Sequence, residues 1–124
     1  MLPVYSNTTR SRDLCRGSLG IITDAVPMGV NSAKAAAHVR LLVLFDDVSL
    51  RRLLFQEMTL GFGMIQCKPT CVFSPVAVTP DELGEAWRDG RVHLRMEIGI
   101  NGHRLGNLAT DQMGFSFCDL IAHA

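Results

Sequence analysis

The chain lacks an excess of either charge: 12 Lys and Arg face 12 Asp and Glu, for a formal net charge of +0. That balance excludes the broad attraction through which basic proteins bind nucleic acid or anionic membranes. It also removes the repulsion that keeps copies of a charged domain apart. Long hydrophobic runs are missing as well. A membrane helix needs roughly 18 apolar residues in succession, and the longest run here, Leu41–Phe45, stops at Asp46 and Asp47. The first ten residues hold no early positive charge followed by an apolar stretch, so they do not read as a secretory leader, and a cytoplasmic protein is expected. Internal repeats, low-complexity tracts and linkers are absent. So is a second compact cysteine pair: Cys67 and Cys71 are spaced CxxxC, while Cys15 and Cys118 stand apart. Reduced thiols acting as small apolar groups are one reading, and a zinc clip completed by His93 and His103 is the other.

What is present suits one domain. The 124 residues are 48% hydrophobic, enough for a buried core. Leu19–Thr23 is short, apolar and β-branched, which predicts a strand ended by Val26-Pro27-Met28-Gly29. Asn31 or Ser32 caps a predicted helix over Ala33–Val39. The run Val39–Phe45 predicts a strand buried on both faces and closed by Asp46-Asp47. Arg51–Met58 is helix-compatible, and Cys71–Val78 reads as a strand with Pro75 at a bulge or edge. Thr79-Pro80-Asp81-Glu82 has the pattern of a capping box and predicts a helix to about Trp87. Between Val92 and Ile100 apolar residues alternate with polar ones, which places His93 on a wet strand face. Asn101-Gly102 predicts a tight hairpin, with a return strand over His103–Ala109. Ser116 and Asp119 open a last helix that the chain end cuts at Ala124, and this apolar, uncapped end is read as truncation. The fold class is therefore α+β, mostly β.

Three stretches, in this order, resemble the fumarylacetoacetate hydrolase family, in particular its bacterial two-domain members. They are Phe45-Asp46-Asp47-Val48-Ser49-Leu50-Arg51, then Gln66–Pro75 leading into Val78–Leu83, then Ile100-Asn101-Gly102 followed by Thr110–Ser116. The resemblance covers residues 19–124 and implies an incomplete family catalytic domain, a mixed β-sandwich roll with short helices. Residues 1–18 are divergent and expected to be loosely ordered. The implied chemistry is hydrolysis of a carbon–carbon bond in a β-diketo acid, or related hydratase or decarboxylase chemistry on small keto acids. The implied cofactor is magnesium, calcium or manganese, which would polarise the keto-enolate. The implied partners are a small keto-acid substrate and a second copy in a homodimer, with no nucleic acid and no membrane.

By the motif match, Asp47 is the metal-binding aspartate and Arg51 the arginine for a substrate carboxylate. Lys68 is the catalytic lysine aimed at the substrate oxyanion, where an ammonium stabilises developing charge. Thr110 matches a threonine that binds a substrate oxygen. Taken by their own chemistry, Asp47 also fits a solvated turn, Arg51 a surface ion pair, Lys68 a solvated lysine and Thr110 a turn or cap.

The family's Glu-x-Glu metal pair falls on Arg16 and Ser18, neither of which is an anionic ligand. No histidine among His38, His93, His103 and His123 matches the family's general base, and each is read as solvated. Leu54 stands where some members carry a substrate-facing glutamine. The expectation is a chain of this lineage that is inactive through truncation and loss of the metal pair. The alternatives are a non-catalytic fragment that associates with intact relatives and a zinc-clipped binding domain.

Overall fold

The computed structural model of the chain describes residues 14–15 and 17–124, with side chains from Gly17 onward. Arg16 and most of the stretch expected to be loose lie outside the described residues. The strands are β1 (Leu14–Cys15), β2 (Ser18–Thr23), β3 (Val39–Leu50), β4 (Thr70–Val78), β5 (Trp87–Arg88), β6 (Arg91–Val92), β7 (Arg95–Ile100) and β8 (His103–Ala109). Among the described residues the helices are α1 (Ser32–Ala35), α2 (Arg51–Leu60) and α3 (Phe117–His123), with three short 3-10 segments. Among the described residues strands predominate over a few short helices, so the fold is α+β, mostly β, as expected. No helix there is long and apolar enough to cross a membrane.

The chain divides into two compact units. The first joins the described residues up to Ser18 with Phe45–Phe73, and the second joins Leu19–Leu44 with Ser74–Ala124. In the first unit, β1 pairs antiparallel with the end of β3, with Leu14 opposite Leu50 and Cys15 opposite Ser49. Phe45 and Phe73 stack with ring centroids 5.5 Å apart. α2 ends at Gly61, whose φ of 74 supplies the left-handed conformation of a C-cap.

The second unit holds the core cluster of Val39, Leu42, Val92 and Phe117, with Trp87 and Ile121 packed against it. Its hairpins follow from residues that tolerate positive φ. Asn101 and Gly102 (φ 50 and 78) turn β7 into β8, as the sequence predicts. Asp89 and Gly90 (φ 55 and 64) turn β5 into β6, with Trp87 opposite Val92. Gly90 also lies tight against α3: a Cβ there would sit 2.7 Å from Cys118 Sγ. The Gly90 carbonyl accepts the Phe117 N–H at 2.8 Å. α3 opens with a capping box in which Ser116 and Asp119 exchange hydrogen bonds, and Asp119 also accepts from the Ser32 hydroxyl at 2.7 Å.

Several expectations change. The helix expected over Ala33–Val39 is one α turn followed by a 3-10 segment, Ala36–His38, and Val39 is already strand. β3 does not stop at Phe45 but runs to Leu50, because Leu14 and Cys15 pair with its far end. Nor is β3 covered on both faces, since Arg40 and Leu44 are exposed. The helix expected from Thr79 is a 3-10 segment, Asp81–Ala86, broken at Gly84 (φ 52), and no side chain caps it. The strand expected from Val92 to Ile100 is interrupted at His93 and Leu94, which separate β6 from β7.

Two outcomes follow. Hydrogen bonds from Ser116 and Ser32 lower the Asp119 carboxyl to about 2, so its contribution is complete above about pH 4. That contribution is lost as pH falls toward 2. The melting temperature of wild type should therefore drop across that window, with a smaller acid-side drop in Asp119→Asn. Gly90→Ala forces a Cβ into contact with Cys118 at a positive φ and should lower the melting temperature by several degrees.

Candidate functional site

The first unit brings two of the motif residues together. Asp47 lies on β3 (Val39–Leu50) and Lys68 in the loop before β4 (Thr70–Val78); the Lys68 ammonium donates to Asp47 Oδ2. Their side chains are 29% and 30% exposed, so solvent screens the pair and its worth to stability is small, about 0–1 kcal/mol. Its interest is positional: a cation and a carboxylate are held together on an accessible surface.

The loop that carries Lys68 is built on a buried carboxylate. Glu57, in α2 (Arg51–Leu60), is only 8% exposed. It accepts backbone N–H bonds from Ile65 at 3.1 Å, Gln66 at 2.6 Å and Cys67 at 3.0 Å. The side chain of Cys67, a fully buried residue, leads the effects holding the Glu57 carboxyl below its ordinary range, with the three backbone N–H bonds adding to it. Burial, then the neighbouring Glu57 charge, pushes the Cys67 thiol upward. The Cys67 carbonyl accepts the Leu50 N–H at 2.8 Å, tying this loop to the end of β3.

Sequence reasoning missed Glu57. The available signal was its place on α2: Leu53, Leu54 and Glu57 are the residues of that helix that turn away from solvent. A carboxylate on such a face must find donors.

Arg51 is the first residue of α2 and is exposed. Residues 47 to 50 are extended, so Asp47 and Arg51 do not share one helical face although they are four positions apart. Leu54 is half-buried on α2.

Thr110 belongs to the second unit, where it opens the 3-10 segment Thr110–Gln112. Its hydroxyl lies 2.5 Å from the Val92 carbonyl and 2.9 Å from that of Leu94, and it accepts the Leu94 N–H at 3.2 Å. This hydroxyl therefore ties β7's lead-in to the end of β8. Thr110 also helps line a cavity of about 360 Å³ whose walls include Leu42, Val78, Val92 and Met96.

The histidines are not uniformly solvated. His38 Nδ1 meets Asp24 at 2.7 Å, and Arg40 binds the same carboxylate. These contacts, His38 first and Arg40 next, hold the Asp24 carboxyl below its ordinary range. His93 leaves the expected wet strand face: its side chain is 18% exposed, with Nδ1 3.4 Å from Asp111 and 3.0 Å from Arg88. His93 Nε2 is buried without a hydrogen-bond partner among the described residues.

A divalent ion of the magnesium or calcium type takes six or more oxygen ligands, several of them carboxylates. Among the described residues no three His, Cys, Asp or Glu side chains converge as such a set. Ser18 offers a hydroxyl at one position of the expected acidic pair, and Arg16 is outside the described residues. Asp47 is already bonded to an ammonium. The described residues therefore do not fit the family's metal. Zinc fares no better, since Cys67 is buried against Glu57 while Cys71 is exposed.

The family profile for fumarylacetoacetate (FAA) hydrolase C-terminal domains matches residues 15–124. The chain belongs to the fumarylacetoacetate hydrolase family. Solved structures share the fold. A fumarylacetoacetate hydrolase family protein from Yersinia pestis CO92 superposes with a TM-score of 0.71 at 18% identity, covering 87% of this chain and 50% of its own. Fumarylacetoacetate hydrolase from the psychrophile Exiguobacterium antarcticum gives 0.69 at 23% identity, covering 90% and 38%. A protein described as a fumarylpyruvate hydrolase from Burkholderia cenocepacia gives 0.70 at 17% identity, covering 96% and 50%. The chain thus spans half or less of the length of these relatives. A comparison with curated proteins finds no match.

Thr110→Val removes the hydroxyl that the Val92 and Leu94 carbonyls share and should cost about 1–3 kcal/mol, read by denaturant unfolding. Thr110→Ser keeps the hydroxyl and should cost less than half as much.

Proposed function

We propose that this chain is the keto-acid-binding part of a fumarylacetoacetase-type hydrolase, with residues 19–124 forming a partial catalytic domain. The observation that carries the reading is the Lys68–Asp47 pair, formed by the two motifs that match the family in the first unit. An ammonium on an accessible surface attracts the carboxylate or enolate of a small keto acid. Arg51 supplies a second cation of fixed charge at the start of the helix that follows Asp47. For Thr110, in the second unit, the motif match alone supports the role of a contact for a substrate oxygen.

The proposal includes weak or absent carbon–carbon bond hydrolysis by this chain. A carboxylate that serves an ammonium is a poor single ligand for magnesium, calcium or manganese, and water is displaced from magnesium reluctantly. Homodimer formation and a cytoplasmic setting are part of the same proposal, on family grounds.

Thermal melting separates the parts of this reading, because a ligand that binds the native state raises its melting temperature. Oxaloacetate or an acylpyruvate should raise the melting temperature of wild type and leave Lys68→Met unmoved, while millimolar magnesium or manganese leaves wild type unmoved. Fumarylpyruvate absorbance should decay at the background rate. Metal-dependent turnover by this chain would overturn the inactive reading. An equal keto-acid response in Lys68→Met would overturn the binding site.

A further inference from the structure

We propose that Glu57 is a positioning residue for Lys68. One carboxylate accepts the N–H groups of three successive residues, Ile65, Gln66 and Cys67, and Lys68 is the next residue in the chain. The peptide entering Lys68 is held from both directions. The Cys67 N–H is fixed by Glu57 and the Cys67 carbonyl by the Leu50 N–H, at 3.0 Å and 2.8 Å. The Lys68 N–H closes the turn on the Ile65 carbonyl at 3.3 Å. These bonds leave the Lys68 backbone little freedom, so its flexible side chain starts from a fixed point beside Asp47.

The arrangement needs an ionised acceptor. Three N–H donors converge on Glu57, and only a carboxylate offers lone pairs from both oxygens with no proton in the way. A carboxamide would turn an NH2 toward at least one of those donors. α2 (Arg51–Leu60) in turn carries Glu57 to the loop, so the helix that begins at Arg51 also sets where Lys68 stands. Glu57 touches no substrate in this scheme and acts only through Lys68. The importance given to Lys68 rests on the keto-acid reading above, but the clamp and its effect on the lysine do not.

The chain has only two lysines, Lys34 and Lys68. Reductive methylation with carbon-13 formaldehyde therefore gives two lysine dimethylamine signals beside that of the α-amino group, assigned with Lys68→Arg, and Lys34 serves as the internal reference. In Glu57→Gln the Lys68 signal should move toward the position of a free lysine by at least half of its wild-type offset, with Lys34 unchanged. Amide exchange at residues 65 to 67 should rise at least tenfold, and Glu57→Asp should restore part of both effects. A lower melting temperature with an unmoved Lys68 signal would mean that Glu57 only stabilises the fold, and would overturn the proposal. Should Glu57→Gln fail to fold, wild type still decides: exchange at residues 65 to 67 at the rate of an unstructured peptide overturns the clamp, and protection supports it. None of these measurements uses substrate, so a failed keto-acid titration leaves their outcome intact, and the reverse holds.

Discussion

Three successive backbone N–H groups converge on the Glu57 carboxylate, and the path of the chain between α2 and β4 depends on that convergence. The loop from Gly61 to Pro69 is mostly exposed and rich in apolar side chains, among them Phe62, Met64 and Ile65. Hydrophobic burial does not fix it. A buried carboxylate contributes instead, because the loop's N–H groups satisfy a charge that burial would otherwise leave unpaired at high cost. The fully buried Cys67 then follows, with its backbone N–H bonded to the same acceptor.

The second consequence concerns Asp47. A carboxylate can neutralise an ammonium or join a shell of oxygens around a divalent ion, and its chemistry differs between the two. In the first unit it meets Lys68, and among the described residues no second and third acidic group joins it. The pairing satisfies the aspartate locally. Thr110 illustrates a parallel point in the second unit. Its hydroxyl already serves the carbonyls of Val92 and Leu94, so the residue that resembles a substrate contact also holds the backbone beside it.

Local signals in the sequence were read correctly where the physics is local. Asn101-Gly102 turns because both residues accept positive φ, and Ser116 caps because its side chain reaches Asp119 three residues away. Asp89-Gly90 carries the same turn signal and makes the same kind of turn, whereas the capping pattern at Thr79 yields only a 3-10 segment, broken at Gly84. β3 runs past Phe45 without a local signal, since its far end pairs with Leu14 and Cys15, residues more than thirty positions earlier.

By itself, the sequence determined the fold class through composition, turn chemistry and side-chain period, which are properties of neighbouring residues, and the family through the residues of three ordered motifs. It also named Asp47 and Lys68 as candidates. Only the tertiary structure decided that these two are bonded to each other, that Thr110 serves backbone carbonyls, and that Glu57 holds the loop before Lys68. The physical reason is distance along the chain. Contacts between residues 47 and 68, or 57 and 65 to 67, exist only once strand, helix and loop have folded back together, and no local period records them.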